Sequence, residues 1–487
     1  MPFAALSSAW QWLAGLPHLS AWLTAAYVAY LAYLLVWIVL QKREPAATLS
    51  WILSLAALPY LGLFIYWLLG PQRIKRQRLR RGRSRAGLEQ YGAMCPVDAD
   101  CSELALLAQA STGLAPSSAT RADLLVDGAA TYAALLEAIA AATDHVHLEY
   151  YIFEPDTTGT RVRDALVERA RAGVAVRVLL DAVGSSRVRR AFLEPLRQAG
   201  GEVLWFHPAQ VLKPFRRPWV NLRTHRKIAI VDGRIAFTGG INVTDTENEA
   251  LRADAYRDLH LRVEGHVVRS LQMVFVEDWL YAGRQATSSL DVHRLWPRDM
   301  PARRDGGIHA QVVVSGPDSA LEAIHRLHVA AIHGARERVW LATPYFVPGE
   351  AARMALTSAA LAGLDVRLLV PRVSDSRFVT WAARSYFDEL LAAGVRVFEY
   401  GPRMLHSKAL LVDAELCLFG SANFDHRSFR LNFEVSMLFR DRAMAAALEA
   451  VLAGDLAQAR EVTAPRGGSL WRQRLPEAMA RLASPLL

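Results

Sequence analysis

The sequence predicts an α/β protein made of two similar domains behind a two-helix transmembrane hairpin. Three observations carry this. Strand-like and helical segments alternate in an order that recurs in the second half of the 487 residues, an 18-residue motif occurs twice without a gap, and two long uncharged runs open the chain.

The uncharged runs come first. Ala21 to Leu40 holds no charged residue over 20 positions, which at about 1.5 Å per residue crosses the roughly 30 Å hydrocarbon layer. Leu49 to Leu69 is a second such run, interrupted by Pro59, which membrane helices tolerate. Trp22, Trp37, Trp51 and Trp67 lie within the runs, some near their ends as interfacial anchors do. No Lys or Arg precedes Lys42, which argues against a cleaved signal peptide with its basic start. Residues 71–85, "PQRIKRQRLRRGRSR", then hold eight Lys or Arg and no acid. Positive flanks stay cytoplasmic, so this cluster should keep the C-terminal body inside and attract anionic lipid headgroups.

The same cluster explains the net charge of +9. It supplies eight charges and residues 42–44 one more, so residues 86–487 carry none. A neutral body argues against general nucleic-acid binding as the function. Cys95, Cys101 and Cys417 make neither a disulfide framework nor a zinc pattern.

Past a polar stretch near residues 86–120, "HVHLEYYIF" (145–153) reads as a buried strand, 161–172 as a helix and "VAVRVLLDAVGS" (174–185) as a strand. A helix to about Gln198 and the strand "EVLWF" (202–206) follow. The second half repeats the order with "RVWLATPYF" (338–346), "LDVRLLVP" (364–371), a helix near 376–392 and "VRVFEY" (395–400). The period is that of a duplicated domain rather than a solenoid. The expected organisation is a transmembrane hairpin over 1–70, a basic juxtamembrane segment and linker over 71–120, a first domain over 121–290, an inter-domain linker over 291–308 and a second domain over 309–487.

The motif reads "HRKIAIVDGRIAFTGGIN" from His225 and "HSKALLVDAELCLFGSAN" from His406. His225 aligns with His406, Lys227 with Lys408, Asp232 with Asp413, Gly239 with Gly420 and Asn242 with Asn423. His and Lys two apart on a strand share a face, and the run after Lys reads as two short strands meeting near Gly233 or Ala414. Glycine lets the backbone come close to a ligand or a neighbouring strand, and the asparagines return an amide toward the same face. Two such faces suit a phosphodiester. Lysines meet phosphate oxygens, and amides support the charge of a pentacoordinate transition state. One imidazole can attack phosphorus while the other handles the proton of the leaving or entering alcohol, and neither role needs a metal.

These paired H-x-K-x4-D-x6-G-(G/S)-x-N motifs resemble those of the phospholipase D superfamily. The resemblance runs along the chain to the bacterial cardiolipin synthases through "PAATLSWILSLAALPYLG", "EYYIFEPDTTG", "YRDLHLRVEG", "FVEDW", "TPYFVP", "SANFDHRSF" and the closing "SPLL". It implies two phospholipase D-like α/β/α domains sharing one active site in a multi-pass protein of the inner (plasma) membrane. The implied reaction moves a phosphatidyl group between two phosphatidylglycerols through a phosphohistidine, with no cofactor. Other anionic phospholipids and the bilayer are the further partners it implies. The resemblance makes His225 the nucleophile and His406 the acid/base, with Lys227, Lys408, Asp232 and Asp413 completing the catalytic motifs; in the family the two aspartates mainly fix local strand geometry. It gives Asn242 and Asn423 to phosphate, and Asp258 and Glu434 to orienting the histidines. A hydrolase passing the group to water is the alternative.

The copies differ in two places. Aligning Pro208 with Pro402 leaves 13 extra residues, "QVLKPFRRPWVNL", before His225, where Lys213, Phe215, Arg216, Arg217 and Trp219 mix basic and aromatic character; the insertion reads equally as a rest on an anionic interface or as a solvated loop. Gly240 stands where the second copy has Ser421, so any hydroxyl contact to phosphate comes from one half. His325, His328 and His333 on one helical segment, and His145 and His147 on a strand, read as ordinary packing or surface.

Overall fold

The computed structural model describes residues 18–40, 45–58, 62, 102–207, 222–284, 290–297, 307–319, 321–463, 469–482 and 484. The basic segment 71–85, residues 210–221 of the insertion and residues 298–306 of the linker lie outside these.

The N-terminal unit contains helices Leu19–Val39 and Pro45–Ala57. The first is apolar on every side rather than along one stripe, the pattern of a helix surrounded by hydrocarbon. The two helices meet through Leu34, Ile38 and Leu55. Among the described residues one helix, Ser20–Val39, is long and apolar enough to cross a bilayer. The second helix covers only the first part of the Leu49–Leu69 run, and most of the remainder is not described.

The body holds two mixed sheets. In chain order the strands are β1 Ser117–Ala119, β2 Arg121–Val126, β3 His145–Tyr150, β4 Ala175–Asp181, β5 Glu202–Phe206, β6 Lys227–Val231, β7 Ile235–Gly239 and β8 Leu259–Glu264. The second half adds β9 Ile308–Ser315, β10 Arg338–Ala342, β11 Phe346–Val347, β12 Asp365–Pro371, β13 Arg396–Tyr400, β14 Ala409–Val412, β15 Leu416–Gly420, β16 Phe424–Asp425, β17 Glu434–Arg440 and β18 Ala459–Val462. One sheet runs β2-β8-β7-β6-β3-β4-β5 and the other β1-β9-β17-β15-β14-β10-β12-β13-β18. Without its edge strands β1 and β18, the second sheet has the order of the first, strand for strand, with β3/β4 and β10/β12 parallel and β3/β6 and β10/β14 antiparallel. The repeat seen in the motif is thus a repeat of topology.

Alternation along the central strands sets the layers. Ile228 and Ile230 of β6 join a large apolar cluster with Ala409 and Leu411 of β14, built around helices Val267–Gly283 and Arg442–Ala457. The intervening Ala229 and Val231 face a second cluster with helices Asp127–Ala140, Thr157–Arg171 and Arg190–Gln198, and Leu410 and Val412 face a third in the second half. Successive side chains on a strand point to opposite faces, so each sheet is covered on both sides, and the middle helices form one core shared by the halves.

Two features of the body escape the sequence pattern. Helix Glu103–Thr112, capped by Ser102, and strand β1 come from the stretch assigned to a linker, yet β1 pairs antiparallel with β9 at the edge of the second sheet. The single helix expected near 376–392 is two, Arg377–Arg384 and Phe387–Ala392.

Candidate active site

Two short main-chain bridges join the halves. Thr224 pairs with Phe433 and Arg257 with Leu405. The His225 N–H donates to Phe433 O at 2.9 Å and the Phe433 N–H to Arg223 O at 2.8 Å. In the related bridge the Arg257 N–H donates to Met404 O at 2.8 Å and the His406 N–H to Arg257 O at 2.7 Å. Each motif histidine is therefore seated on the residue that precedes the acid of the opposite half.

The side chains follow the same crossing. His225 Nδ1 lies 3.0 Å from both Glu434 carboxylate oxygens, and His406 Nδ1 lies 2.6 Å from Asp258 Oδ2. Asp258 immediately precedes β8 and Glu434 begins β17, which correspond in the two sheets once β1 is set aside. All four groups are buried, with the histidine rings just reaching the surface. A carboxylate against Nδ1 fixes that nitrogen as the N–H and leaves Nε2 for the chemistry, as a lone pair in the neutral ring of a nucleophile or as a second N–H in the imidazolium of a general acid.

Both lysines are buried beside their histidines. Lys227 Nζ donates to His225 O at 2.7 Å; Lys408 Nζ donates to His406 O and lies 2.9 Å from His406 Nδ1 and 3.4 Å from Asp258 Oδ2. Burial brings the Lys227 ammonium down to about 7, with the Lys408 charge adding to the effect. Burial likewise drives His225 down to about 4, the two lysines outweighing part of the Glu434 attraction. Burial pushes Asp258 and Glu434 up, but their partners win and hold both below the usual carboxylate range; Lys408 and the hydrogen-bonding His406 act on Asp258, and the hydrogen-bonding His225 with Lys227 on Glu434. Lysines of both motifs enter the balance at His225, so the halves form one electrostatic site. Aromatic rings wall it. Tyr151 stands edge-on to His225 at 4.8 Å between centroids, and Tyr256 and Tyr345 stand 5.3 and 6.4 Å from His406.

The asparagines differ. Asn242 Nδ2 donates to Glu247 Oε1 at 2.7 Å and its N–H to Glu247 Oε2 at 2.6 Å, while its Oδ1 accepts the Ile152 N–H at 3.2 Å. Asn423 has Ser428 at the same five-residue offset, taking its N–H at 3.1 Å, and its buried Oδ1 has no partner among the described residues. Glu247 was not singled out from the sequence, since the other copy has serine at this offset.

The glycine and serine difference has a packing cause. A Cβ at Gly240 would come within 2.2 and 2.4 Å of the Asp258 carboxylate oxygens. In the other half the Ser421 hydroxyl donates to Glu434 Oε2, and Asn432 Nδ2 donates to Oε1 at 3.2 Å. The hydroxyl thus steadies the acid rather than standing free for a phosphate.

Asp232 and Asp413 do not join the cluster. Each sits at the far end of its motif strand with φ +53°. Asp232 accepts the N–H groups of Thr143, Asp144 and His145, and Asp413 those of Arg336, Glu337 and Arg338. Four intervening strand residues separate each from its lysine, and each holds a turn at the opposite end of the strand.

Among the described residues, Glu247, Asp258 and His406 form the one group whose ligand atoms lie within 4.8 Å of one another in the manner of a metal site. The Lys408 ammonium already lies against two of the three, which supplies the positive charge a cation would bring. His328 is buried against Ile324 O, and His325 pairs with Glu322 and stacks on Phe429, so these histidines serve packing. His147 is buried between Gln272 and Arg177.

Comparison with known proteins adds the following. The family described as cardiolipin synthase, PLD-like domain, matches residues 135–279 and 329–456, and that described as phospholipase D-nuclease N-terminal matches residues 29–71. Cardiolipin synthase 2 of Bacillus anthracis is 38% identical over 468 residues, covering 92% of this chain and 88% of its own. The cardiolipin synthase of Geobacillus sp. (strain WCH70) is 37% identical over 488 residues, covering 96% and 93%. The phosphatidylserine synthase structure from Haemophilus influenzae Rd KW20 has a TM-score of 0.58 at 13% identity, covers 79% of this chain and 100% of its own, and shares the fold.

Proposed function

The chain belongs to the cardiolipin synthase family of PLD-like proteins, and from that premise we propose how it carries a phosphatidyl group from one phosphatidylglycerol to another. It is a phosphatidyltransferase acting between phospholipids. The observation that carries the mechanism is the crossing of His225 with Glu434 and His406 with Asp258.

His225, kept neutral by burial and with Nδ1–H directed to Glu434, attacks phosphorus through Nε2. The bond from phosphorus to the glycerol headgroup oxygen breaks, and His406 gives that oxygen its proton. The phosphatidyl group rests on His225. A hydroxyl of the second phosphatidylglycerol then gives its proton to His406 and attacks phosphorus, the P–N bond breaks, and cardiolipin leaves. One phosphodiester replaces another, so atoms balance without a nucleotide. Lys227 and Lys408 offset the phosphoryl charge, and the Nδ2 group of Asn423 donates to a phosphate oxygen, whereas that of Asn242 already donates to Glu247.

A second span within 49–69, after the Leu19–Val39 helix, would return the chain to its starting side, and the basic segment 71–85 favours a cytoplasmic body of two PLD-like domains, 121–290 and 309–487.

The test is mass spectrometry of products after purified protein meets phosphatidylglycerol as sole lipid in mixed micelles with EDTA. Cardiolipin and glycerol in equal amounts are expected. Phosphatidic acid as the main product would replace transfer with hydrolysis.

A further inference from the structure

Near the C-terminus, Leu470–Arg474 leads into helix Leu475–Leu482. Glu477 and Ala480 pack inward, while Trp471, Leu475, Met479 and Leu482 are 74, 40, 61 and 83% exposed. Spacings of four, four and three put these four on one side of the helical path, so the exposure is a stripe rather than a scatter. The helix packs against Arg377–Arg384, a strongly amphipathic helix whose Phe378 and Trp381 are also exposed. Val373 extends the patch at 64% exposure.

Cations border this surface. Arg377, Arg472 and Arg474 are exposed on its two elements and Arg372 on the loop before helix Arg377–Arg384, which also carries the exposed Asp375. Arg474 pairs with Asp388 at 3.6 Å. The patch also adjoins the catalytic pocket. Asp375, between Val373 and Phe378, accepts a hydrogen bond from Tyr345 Oη at 2.8 Å, and the Tyr345 ring stands 6.4 Å from that of His406.

We propose that this face is a membrane-docking surface seated on an anionic leaflet. Trp471, Leu475, Met479 and Leu482 enter the headgroup and acyl boundary, and the arginines meet lipid phosphates at its rim. Charge selects this occupant over a second copy of the chain, because two arginine-rimmed faces would repel. Docking holds the His406 side of the pocket against the layer where both substrates lie. The test of this surface does not depend on the catalytic reading.

The test places a nitroxide at Met479→Cys in the full chain carrying Cys95→Ser and Cys101→Ser; the remaining Cys417 is buried. Met479 is exposed, so the change leaves the packing alone. In phosphatidylglycerol vesicles the label is expected to collide with oxygen in preference to an aqueous nickel chelate. Adding Arg472→Gln and Arg474→Gln should shift the docking equilibrium about 30-fold toward water. A label open to nickel in those vesicles overturns the proposal. So does a label shielded equally in detergent with a light-scattering mass of two chains, which would make the face a contact between copies.

Discussion

His225 and Glu434 are 209 positions apart, yet Nδ1 of one lies 3.0 Å from both carboxylate oxygens of the other. His406 and Asp258 make the reciprocal pair 148 positions apart. Each half provides the acid that orients the histidine of the other.

Glu434→Gln keeps the volume of the side chain but removes the charge that fixes the His225 tautomer. The rate of cardiolipin formation is expected to fall about 10³- to 10⁴-fold, as for other oriented catalytic histidines, with the melting temperature little changed. Asp258→Asn should act the same way through His406. A fall below tenfold in both would remove the carboxylates from catalysis.

Gly240→Ser makes the first motif match the second, and is nonetheless expected to abolish activity. The added Cβ would overlap an Asp258 carboxylate already held by the Leu259 N–H at 2.7 Å and by His406 at 2.6 Å. Ser421→Gly, which deletes one hydrogen bond to Glu434, should cost only about tenfold. Rates of the two variants in the same micelles check the order.

Asp232→Ala separates fold from chemistry. It strands three backbone N–H groups and leaves alanine at φ +53°, so a loss of roughly 2–4 kcal/mol of stability is expected. Activity per folded molecule should stay within severalfold of the parent. Thermal unfolding read beside kcat distinguishes this from a catalytic loss.

The pH dependence follows from two buried groups. Lys227, brought down to about 7, loses its charge as pH rises through neutrality, so kcat/KM should fall on an alkaline limb near pH 7. His225 at about 4 stays neutral while its unfolded counterpart takes up a proton below about 6.5, so stability falls as pH drops from about 6.5 to 4, by about 3 kcal/mol. Glu434, held low when folded, adds to the loss as it too protonates. A kcat/KM profile flat from pH 6 to 9 would contradict the Lys227 assignment.

The strands were legible because burial on both faces leaves continuous apolar runs such as "KIAIV" and "ALLV", and the duplication made their order readable twice. The histidines, lysines and asparagines of the candidate site were legible because they recur at identical offsets in both copies. Pairing across the halves was not, since nothing local to Asp258 records that its partner is His406. Glu247 was hidden for a related reason: its counterpart Ser428 does the same backbone task with different chemistry. Strand β1 was missed because three residues, "SSA", carry no periodicity, and their place depends on the exposed edge of β9.

The crossed pairs also bear on how such a chain can change over generations. A substitution near Glu434 is felt at His225, and one near Asp258 at His406, so neither copy of the duplication is free to drift by itself where the two meet. The outer helices take no part in either pair and carry no such constraint, while the strands that meet must change together. For the same reason a gene encoding either half alone would yield a protein with a histidine and no acid to hold it.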